Sequence, residues 1–240
     1  MRRFLLALCA LLLGACQSSA STTAITMDWS YMVGSNADEI WHTKANFYRQ
    51  GQAAHGSSNG SAGFVGPKAL KAKDYRWRVG KGRGLYNQPV PDLVEIEWVS
   101  FHDKKRYAIR LDLPADLAEQ MRQVYRVKVG NEWRETRRDH IGLGLATGGY
   151  VEVFLMDSSP YLSPDILLAR GLAHEVTDEE YDPSGLRDPL SSQFKNRWAR
   201  FEAEFADAYQ QYPIPSGMAW APIMDAYRAA QPKTDQYPVK

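Results

Sequence analysis

Two short stretches place a serine among residues that hydrolases use for nucleophilic catalysis. Gly56-Ser57-Ser58-Asn59-Gly60 matches the Gly-x-Ser-x-Gly pattern of a nucleophile elbow. That elbow needs a buried strand before the serine and a helix after it, whereas this serine lies in a Gly/Ser-rich run. Ser100, His102 and Asp103 have the residue types of a triad, but a triad is defined by geometry, and the same types are common in turns. We therefore assign no catalytic residue, and a hydrolase stays the least favoured function.

A histidine with nearby acids and a glycine-rich basic run are the candidates for metal and phosphate binding. His174-Glu175 precedes the acid-rich stretch 178–182, without the His-Glu-x-x-His zinc pattern or the spacing of a calcium loop. A solvated acidic loop is expected there. Gly80-Lys81-Gly82-Arg83-Gly84 lacks the full P-loop spacing and a following helix. It predicts a basic turn, with phospholipid headgroup contact as the alternative. Neither stretch predicts a metal site or a cofactor.

The first residues have the three parts of a secretory signal. Two arginines follow Met1, Phe4 to Leu13 is apolar and uncharged, and Gly14 and Ala15 are small. The apolar stretch is shorter than the roughly 20 residues that a membrane-spanning helix needs. Residues 1–15 are therefore predicted to be a signal peptide.

The end of this segment, Leu13-Gly14-Ala15-Cys16, resembles the lipobox of bacterial lipoproteins. The resemblance implies cleavage before Cys16 and acylation of its thiol and amino group, with palmitate among the acyl chains. The only other cysteine, Cys9, lies within the signal segment, so no disulfide is expected. In the lipoproteins that this segment resembles, a residue such as Gln17 after the cysteine favours sorting to the outer membrane, facing the periplasm. Residues 16–24 are typical of a lipidated flexible tether. The alternative is an ordinary signal peptide with a chance cysteine.

The charge of the chain argues against nucleic acid as a partner. The formal net charge is +1, and removing the two arginines of the signal segment makes it +1 − 2 = −1. A chain without a basic excess cannot neutralise many phosphates. Hydrophobic residues make up 44% of the chain, which is enough for a core, and residues 25–240 are expected to form a single globular domain.

Alternating apolar residues predict antiparallel hairpins in the first part of this domain. An exposed Gly/Ser loop is expected at 51–66, and a strand at 75–79 is expected to end in a turn at 80–84. Pro114 marks a short helix containing Leu117 and Met121. The further predicted strands are Leu93–Phe101 and Arg106–Leu113, Tyr125–Val129, and the pair 141–145 and 151–155.

The C-terminal third changes to helical spacing. A helix capped by Ser191 or Ser192 and stopped by Pro213 is predicted, followed by a shorter one after Ser216. Strands followed by helices favour an α+β fold, mainly an antiparallel and sandwich-like β-sheet with C-terminal helices packed on it. The apolar stripe of the longer helix is Phe194, Trp198, Phe201, Phe205, Tyr209 and Tyr212.

Five segments taken in order resemble a family of bacterial lipoproteins of unassigned biochemical function. They are 75–80 (YRWRVG), 90–92 (VPD), 96–101 (IEWVSF), 106–114 (RYAIRLDLP) and 142–153 (GLGLATGGYVEV). Similar families lie beside phospholipase effectors of the type VI secretion system and act as periplasmic immunity proteins. The resemblance covers Tyr75 to Val176 and carries no catalytic residues over to this chain.

This resemblance makes a membrane-anchored immunity protein the leading hypothesis. Its partners would be the lipid membrane, through acylated Cys16, and a secreted effector enzyme whose active site it occludes. The alternatives are a structural or assembly lipoprotein of the envelope and a periplasmic hydrolase. Tyr, Trp and Arg dominate protein interfaces. The expected contact residues, in loops rich in these types, are Trp29, Trp41, Arg76, Arg78, Arg83, Tyr86, Trp133 and Arg137.

Overall fold

The computed structural model describes residues 24–59, 66–157, 164–231 and 235–236. The signal segment, Cys16 and most of the tether lie outside the described residues, as does the loop segment 60–65. The strands are β1 Thr26–Ser35, β2 Ile40–Arg49, β3 Gln52–Asn59, β4 Arg78–Pro89, β5 Leu93–Ser100, β6 Lys105–Asp112, β7 Val124–Val129, β8 Glu132–Arg137, β9 His140–Ala146, β10 Tyr150–Met156, β11 Ile166–Leu172, β12 His174–Glu175 and β13 Asp235–Gln236. The helices are α1 Pro67–Ala72, α2 Leu117–Arg122, α3 Asp178–Tyr181, α4 Leu190–Gln211 and α5 Ala221–Ala230.

The described strands form three sheets. Sheet 1 has the order β11-β10-β9-β1-β4, sheet 2 has the order β12-β6-β5-β2-β3, and the small sheet 3 has the order β13-β7-β8. Neighbouring strands are antiparallel except for β1 and β9, which run parallel. The architecture is thus the predicted α+β fold, with a mainly antiparallel sandwich and C-terminal helices.

The main core lies between sheets 1 and 2. Val94, Ile96 and Trp98 of β5 form one side, as their alternation with Glu95 and Glu97 predicts. The opposing side comes from β1, β9 and β10, whose inward residues are buried. They include Tyr31, Val33, Ile141, Leu143, Leu145, Val151, Val153 and Leu155. Burial of this kind is the dominant favourable term in folding.

Glycines in β9 let aromatic rings lie flat on the outer face of sheet 1. A Cβ at Gly142 would lie 2.2 Å from the Phe154 ring, and one at Gly144 would lie 2.5 Å from the Trp77 ring. The two rings stack with centroids 6.4 Å apart. The alternation of glycine with aliphatic residues in β9 therefore gives one face to the main core and the other to aromatic packing.

The long helix α4 covers the outer face of sheet 2. Phe194, Trp198, Phe201 and Phe205 are buried in one cluster with Val99 and Phe101 of the sheet. The aromatic stripe is therefore core packing, and the predicted contact of helix and sheet is confirmed. Pro189, not Ser191 or Ser192, occupies the N-cap, and no side chain caps the helix.

Helix α5 is fixed to the outer face of sheet 1 by a buried carboxylate. Glu152 of β10 is 0% exposed and accepts hydrogen bonds from Trp77 (3.0 Å), Tyr150 (2.7 Å), Arg170 (2.8 Å) and Arg228 of α5. Asp225 joins the same two arginines from the solvent side. A buried carboxylate is stable only when it is paired and hydrogen-bonded, so Glu152 ties the helix to the sheet.

Two edge strands occupy stretches where turns or loops are expected. β4 continues through 80–84 and pairs closely with β1 there. Gly82 allows this approach, because a Cβ at this position would lie 2.0 Å from the Tyr31 carbonyl oxygen. β3 occupies Gln52–Asn59, half of the predicted 51–66 loop, since small residues can pair with the edge of β2. Ser58 therefore lies within a strand, and the nucleophile elbow is not formed.

Two alanine substitutions in β4 distinguish the effect of a clash with β1 on stability from the effect of replacing a glycine. We expect Gly82→Ala to destabilise the protein by roughly 1–3 kcal/mol, because the backbone of β1 must move. Gly84 has open space around its Cβ position, so Gly84→Ala is expected to change stability by no more than about 0.5 kcal/mol. Urea unfolding of both variants measures this. Equal losses would show that β4 does not approach β1 as described.

A second pair of substitutions tests the attachment of α5. Glu152→Gln removes the buried charge that holds two arginines, and we expect a loss of about 3–5 kcal/mol. Asp225 contacts the same arginines but is 54% exposed, so Asp225→Asn is expected to cost no more than about 1 kcal/mol. Denaturant unfolding compares the two. A small loss for Glu152→Gln would mean that the ion network does not hold the helix.

Candidate partner-binding surface

The residues Ser100, His102 and Asp103 come together, but not as a catalytic triad. The Ser100 hydroxyl is fully buried, donates to Asp38 Oδ2 at 2.5 Å and accepts from the Asp103 amide at 3.0 Å. His102 Nδ1 contacts Asp103 Oδ1 at 3.1 Å. A nucleophilic serine needs its hydroxyl against the imidazole, whereas this hydroxyl is held by a carboxylate. The geometry does not support nucleophilic catalysis by Ser100.

These residues instead form a clamp that joins three turns at one end of the sandwich. Asp38 follows β1 and accepts from the His102 amide at 2.9 Å, while Asp103 lies between β5 and β6. Asp103 Oδ2 accepts from the amide of Gly148, between β9 and β10, at 2.6 Å and from Tyr107 at 3.0 Å. The clamp therefore links both large sheets.

Burial sets the ionisation of the clamp. It raises the pKa of Asp38 to about 7, although hydrogen bonds from Ser100 and His102 act to lower it. Burial acts to lower the pKa of His102, but the hydrogen bond to Asp103 and the charges of Asp38 and Asp103 raise it overall. These are the effects expected of desolvation and of close opposite charges.

The acid-rich stretch after His174 supports local structure. Thr177 and Glu180 form a capping box at α3. Asp178 accepts from the Leu190 amide at 2.9 Å, and Asp182 accepts from the backbone amides of Ser184 and Arg187. No group of three or more metal-ligating side chains occurs within the described ranges. The acids of this stretch therefore act as hydrogen-bond acceptors for turns and helix starts.

The expected contact residues divide by their exposure. Trp29 is 3% exposed and packs edge-on against Phe47 at 5.1 Å. Trp29 is therefore not a contact residue, because a side chain buried in the core has no surface that a partner could contact. Trp41 is half-buried under α4, where the Arg197 guanidinium lies 4.2 Å from its ring centroid. The stretches expected to be loops around the candidates are mostly strands β1, β4 and β8.

Four candidates lie in or beside β4. Arg76 and Arg78 both bind Asp74 at 3.1 Å, which holds them at the start of the strand. Arg83 is exposed, and Tyr86 is 78% exposed. Arg76, Arg83 and Tyr86 are the exposed members of this group, and Arg83 and Tyr86 are those without an ion pair to Asp74.

The last two candidates, Trp133 and Arg137, lie on one face of the β7–β8 hairpin together with the cations Arg126 and Lys128. The register pairs Lys128 with Trp133 and Arg126 with Glu135, and Arg137 follows on the same face. All of them are exposed, Trp133 by 40%, whereas Tyr125 and Val127 on the opposite face of β7 are buried. We call this set the hairpin face: Arg126, Lys128, Trp133, Glu135 and Arg137.

The hairpin face combines an accessible indole with an excess of positive charge. The Arg126 guanidinium lies 5.7 Å from the centroid of the Trp133 ring, which is within range of a cation–π interaction. The face has three cations and one carboxylate, so it favours an acidic surface. Arg126 and Lys128 follow from the alternation of β7, while β8 has too few apolar residues to be recognised as a strand.

The raised pKa of Asp38 predicts that the stability of the protein depends on pH. Its folded pKa is about 7 against an ordinary 3.8, so its stabilising contribution is fully present below about pH 4 and is lost as pH rises to about 7. The raised pKa of His102 acts in the same direction. We expect the free energy of unfolding to fall between pH 4.5 and 8 by up to about 1.4 kcal/mol per pH unit for one proton. Asp38→Asn should remove most of this slope.

Unfolding in urea across this pH range measures the slope. Asp112→Asn is the control, because Asp112 is exposed and lies outside the clamp. A slope that survives in Asp38→Asn would place its origin elsewhere.

The comparisons with known proteins give a family. Within the described ranges, no helix combines the length and hydropathy needed to cross a membrane. No curated protein and no solved structure matches the chain significantly. The sequence profile described as "Protein of unknown function (DUF2931)" matches residues 16–217, a wider range than the resemblance over Tyr75 to Val176. Because this match covers most of the chain, the protein belongs to the DUF2931 family of proteins of unknown function.

Proposed function

We propose that this chain is a binding protein of the cell envelope that is tethered through Cys16 and binds a protein partner through the hairpin face. The observation that carries the proposal is the 40% exposed Trp133 among Arg126, Lys128 and Arg137. A large aromatic side chain is costly to leave in water, and none of these exposed residues is needed to fill the core. Contact with a partner surface would bury the indole of Trp133.

The composition of the hairpin face fits a protein partner. Tryptophan and arginine are over-represented among the residues that contribute most to protein interfaces. Arg126 already lies over the Trp133 ring at 5.7 Å, so part of the contact surface is ordered before binding. Preorganisation lowers the entropy cost of association, and the basic side chains favour an acidic partner surface through complementary charge.

The partner that we propose is a secreted effector enzyme, most specifically a type VI phospholipase. This choice comes from the sequence resemblance, and the chain would act by covering the mouth of the effector's active site. A tight complex would bury about 1,200–2,000 Å² in total. The hairpin face alone is a small part of such an area, so Arg83 and Tyr86 of β4 are candidates for the remainder.

A lipid anchor at Cys16 would place the protein where a phospholipase attacks. The family match begins at residue 16 and so leaves out the segment assigned to the signal peptide. An acyl tether with a short polar linker raises the effective concentration of inhibitor at the membrane surface. The anchor thus supports an inhibitory role that depends on location as well as on affinity.

Substitution of Trp133 tests the role of the hairpin face. We expect Trp133→Ala to weaken binding to the effector encoded by a neighbouring gene by roughly thirtyfold, or about 2 kcal/mol. Its stability should change by less than about 0.5 kcal/mol, because the side chain is exposed. Leu186→Ala is the matched control, since Leu186 is 88% exposed and lies outside the hairpin.

The measurements are pull-down with each neighbouring gene product, titration of the complex, and phospholipase activity with and without this protein. Stoichiometric binding that abolishes lipase activity and is lost in Trp133→Ala supports the proposal. Binding that survives in Trp133→Ala would move the interface away from the hairpin face. If no neighbouring product binds, the immunity role fails and a structural or assembly role in the envelope becomes the better account.

A further inference from the structure

A cleft between β6 and the first turn of α4 contains a buried cation without a counterion. Arg106 is 2% exposed, and its Nη1 is buried without a hydrogen-bond partner. Arg106 is opposite Val99 in the β5–β6 ladder, so it lies on the face of sheet 2 that α4 covers. Its guanidinium stacks on the ring of Tyr181, 3.3 Å from the centroid. Burying a charge in this way is unfavourable unless it is paired.

The nearest carboxylates are already engaged by other groups. Glu97 binds Lys44 at 2.8 Å, and Asp178 accepts from the Leu190 amide at 2.9 Å. Among the described residues, no carboxylate lies within salt-bridge distance of Arg106. Burial lowers the pKa of the Arg106 guanidinium, and the charges of Glu97 and Asp178 only partly oppose this. The part of the chain that the structure describes therefore leaves the charge of Arg106 incompletely balanced.

The first turn of α4 adds one backbone donor to the same cleft. The amides of Ser192 and Gln193 donate to the Pro189 carbonyl, and Leu190 donates to Asp178. The Ser191 amide is the remaining donor of this turn among the described residues, and the only carboxylate described as bonded to this turn is Asp178 of α3, on the Leu190 amide. A helix of 22 residues has partial positive charge at this end, which favours an anion.

These two features line one cleft of about 170 Å³. Arg106, Lys105, Leu190 and Ser191 are among its lining residues, and Glu175 and Asp178 also line it. Lys105 binds Glu175 at 2.6 Å, so this pair contributes little net charge. Burial, followed by the charges of Arg197, Arg106 and Lys44, lowers the pKa of His42.

We propose that this cleft is a binding site for a phosphate group, held by Arg106, the Ser191 backbone amide and the N-terminal end of α4. Arginine binds phosphate oxygens through several donors at once, and backbone amides at a helix start supply the rest. The phosphate could belong to a free phosphomonoester or to a phospholipid headgroup, which share this chemistry. The site is independent of the proposed partner surface, because it uses β6 and α4 and not the β7–β8 hairpin.

Calorimetric titration tests the site in the full chain carrying Cys16→Ser, so that no acyl chain is attached. One arm uses inorganic phosphate, and the other uses dihexanoyl phosphatidylglycerol below its micellar concentration, both at constant ionic strength. We expect Arg106→Met to weaken binding at least tenfold. Arg122→Gln, which removes an exposed arginine on α2, should bind like the parent chain.

A second pair of variants keeps the test independent of the folding of Arg106→Met. Ser191→Asp places a carboxylate at the helix start, where it favours folding but repels an anion, and should abolish binding. Ser191→Asn has nearly the same shape without the charge and should retain it. Binding in the phosphate arm alone identifies a free phosphate, and binding in the lipid arm alone identifies a headgroup. No binding in either arm, binding unchanged in Arg106→Met and Ser191→Asp, or equal binding of acetate would overturn the proposal.

Discussion

The apolar character of both faces of sheet 1 determines most of this architecture. Every residue of β10 is buried, and β9 carries aliphatic side chains on one face and glycines on the other. A sheet with two apolar faces must be covered twice. Sheet 2 covers the inner face, while α5 and the aromatic residues before β4 cover the outer face. The C-terminal helices are therefore part of the core and not an appendage to it.

Charged groups inside such a structure have to be paired, and their pairing fixes the layers relative to one another. Glu152 lies under α5 and binds two arginines, so the helix cannot slide without exposing a buried carboxylate. Asp38, whose pKa burial raises to about 7, instead joins the turns at one end of the sandwich through hydrogen bonds from the Ser100 hydroxyl and the His102 amide. Ser100, His102 and Asp103, which have the residue types of a catalytic triad, thus link the turns of the two large sheets.

The fold could be predicted from the sequence where each strand buries its own side chains. β5, β6, β9 and β10 show clear alternation, and α4 shows a clear stripe. β3, β4 and β8 were missed or misplaced because edge strands bury few side chains and depend on the hydrogen bonds of a neighbour. The interior strand β1 was also expected to be a loop, although it buries Trp29 and Tyr31. Trp29 could not be told from Trp133, since cores and interfaces use the same residue types. Only the register of β7 with β8 joins Arg126 and Lys128 to Trp133 and Arg137.

The two proposed sites differ in what they cost the fold. The hairpin face is carried by a hairpin in which only Tyr125 and Val127 of β7 are buried, on the opposite side, so its exposed residues can change without disturbing the core. Arg106 is different, because an unpaired buried guanidinium destabilises the protein wherever an apolar residue of similar size would fit. A chain that keeps such a group needs a compensating interaction. An anion bound in the cleft between β6 and α4 would supply this interaction, and its binding would stabilise the packing of α4 on sheet 2.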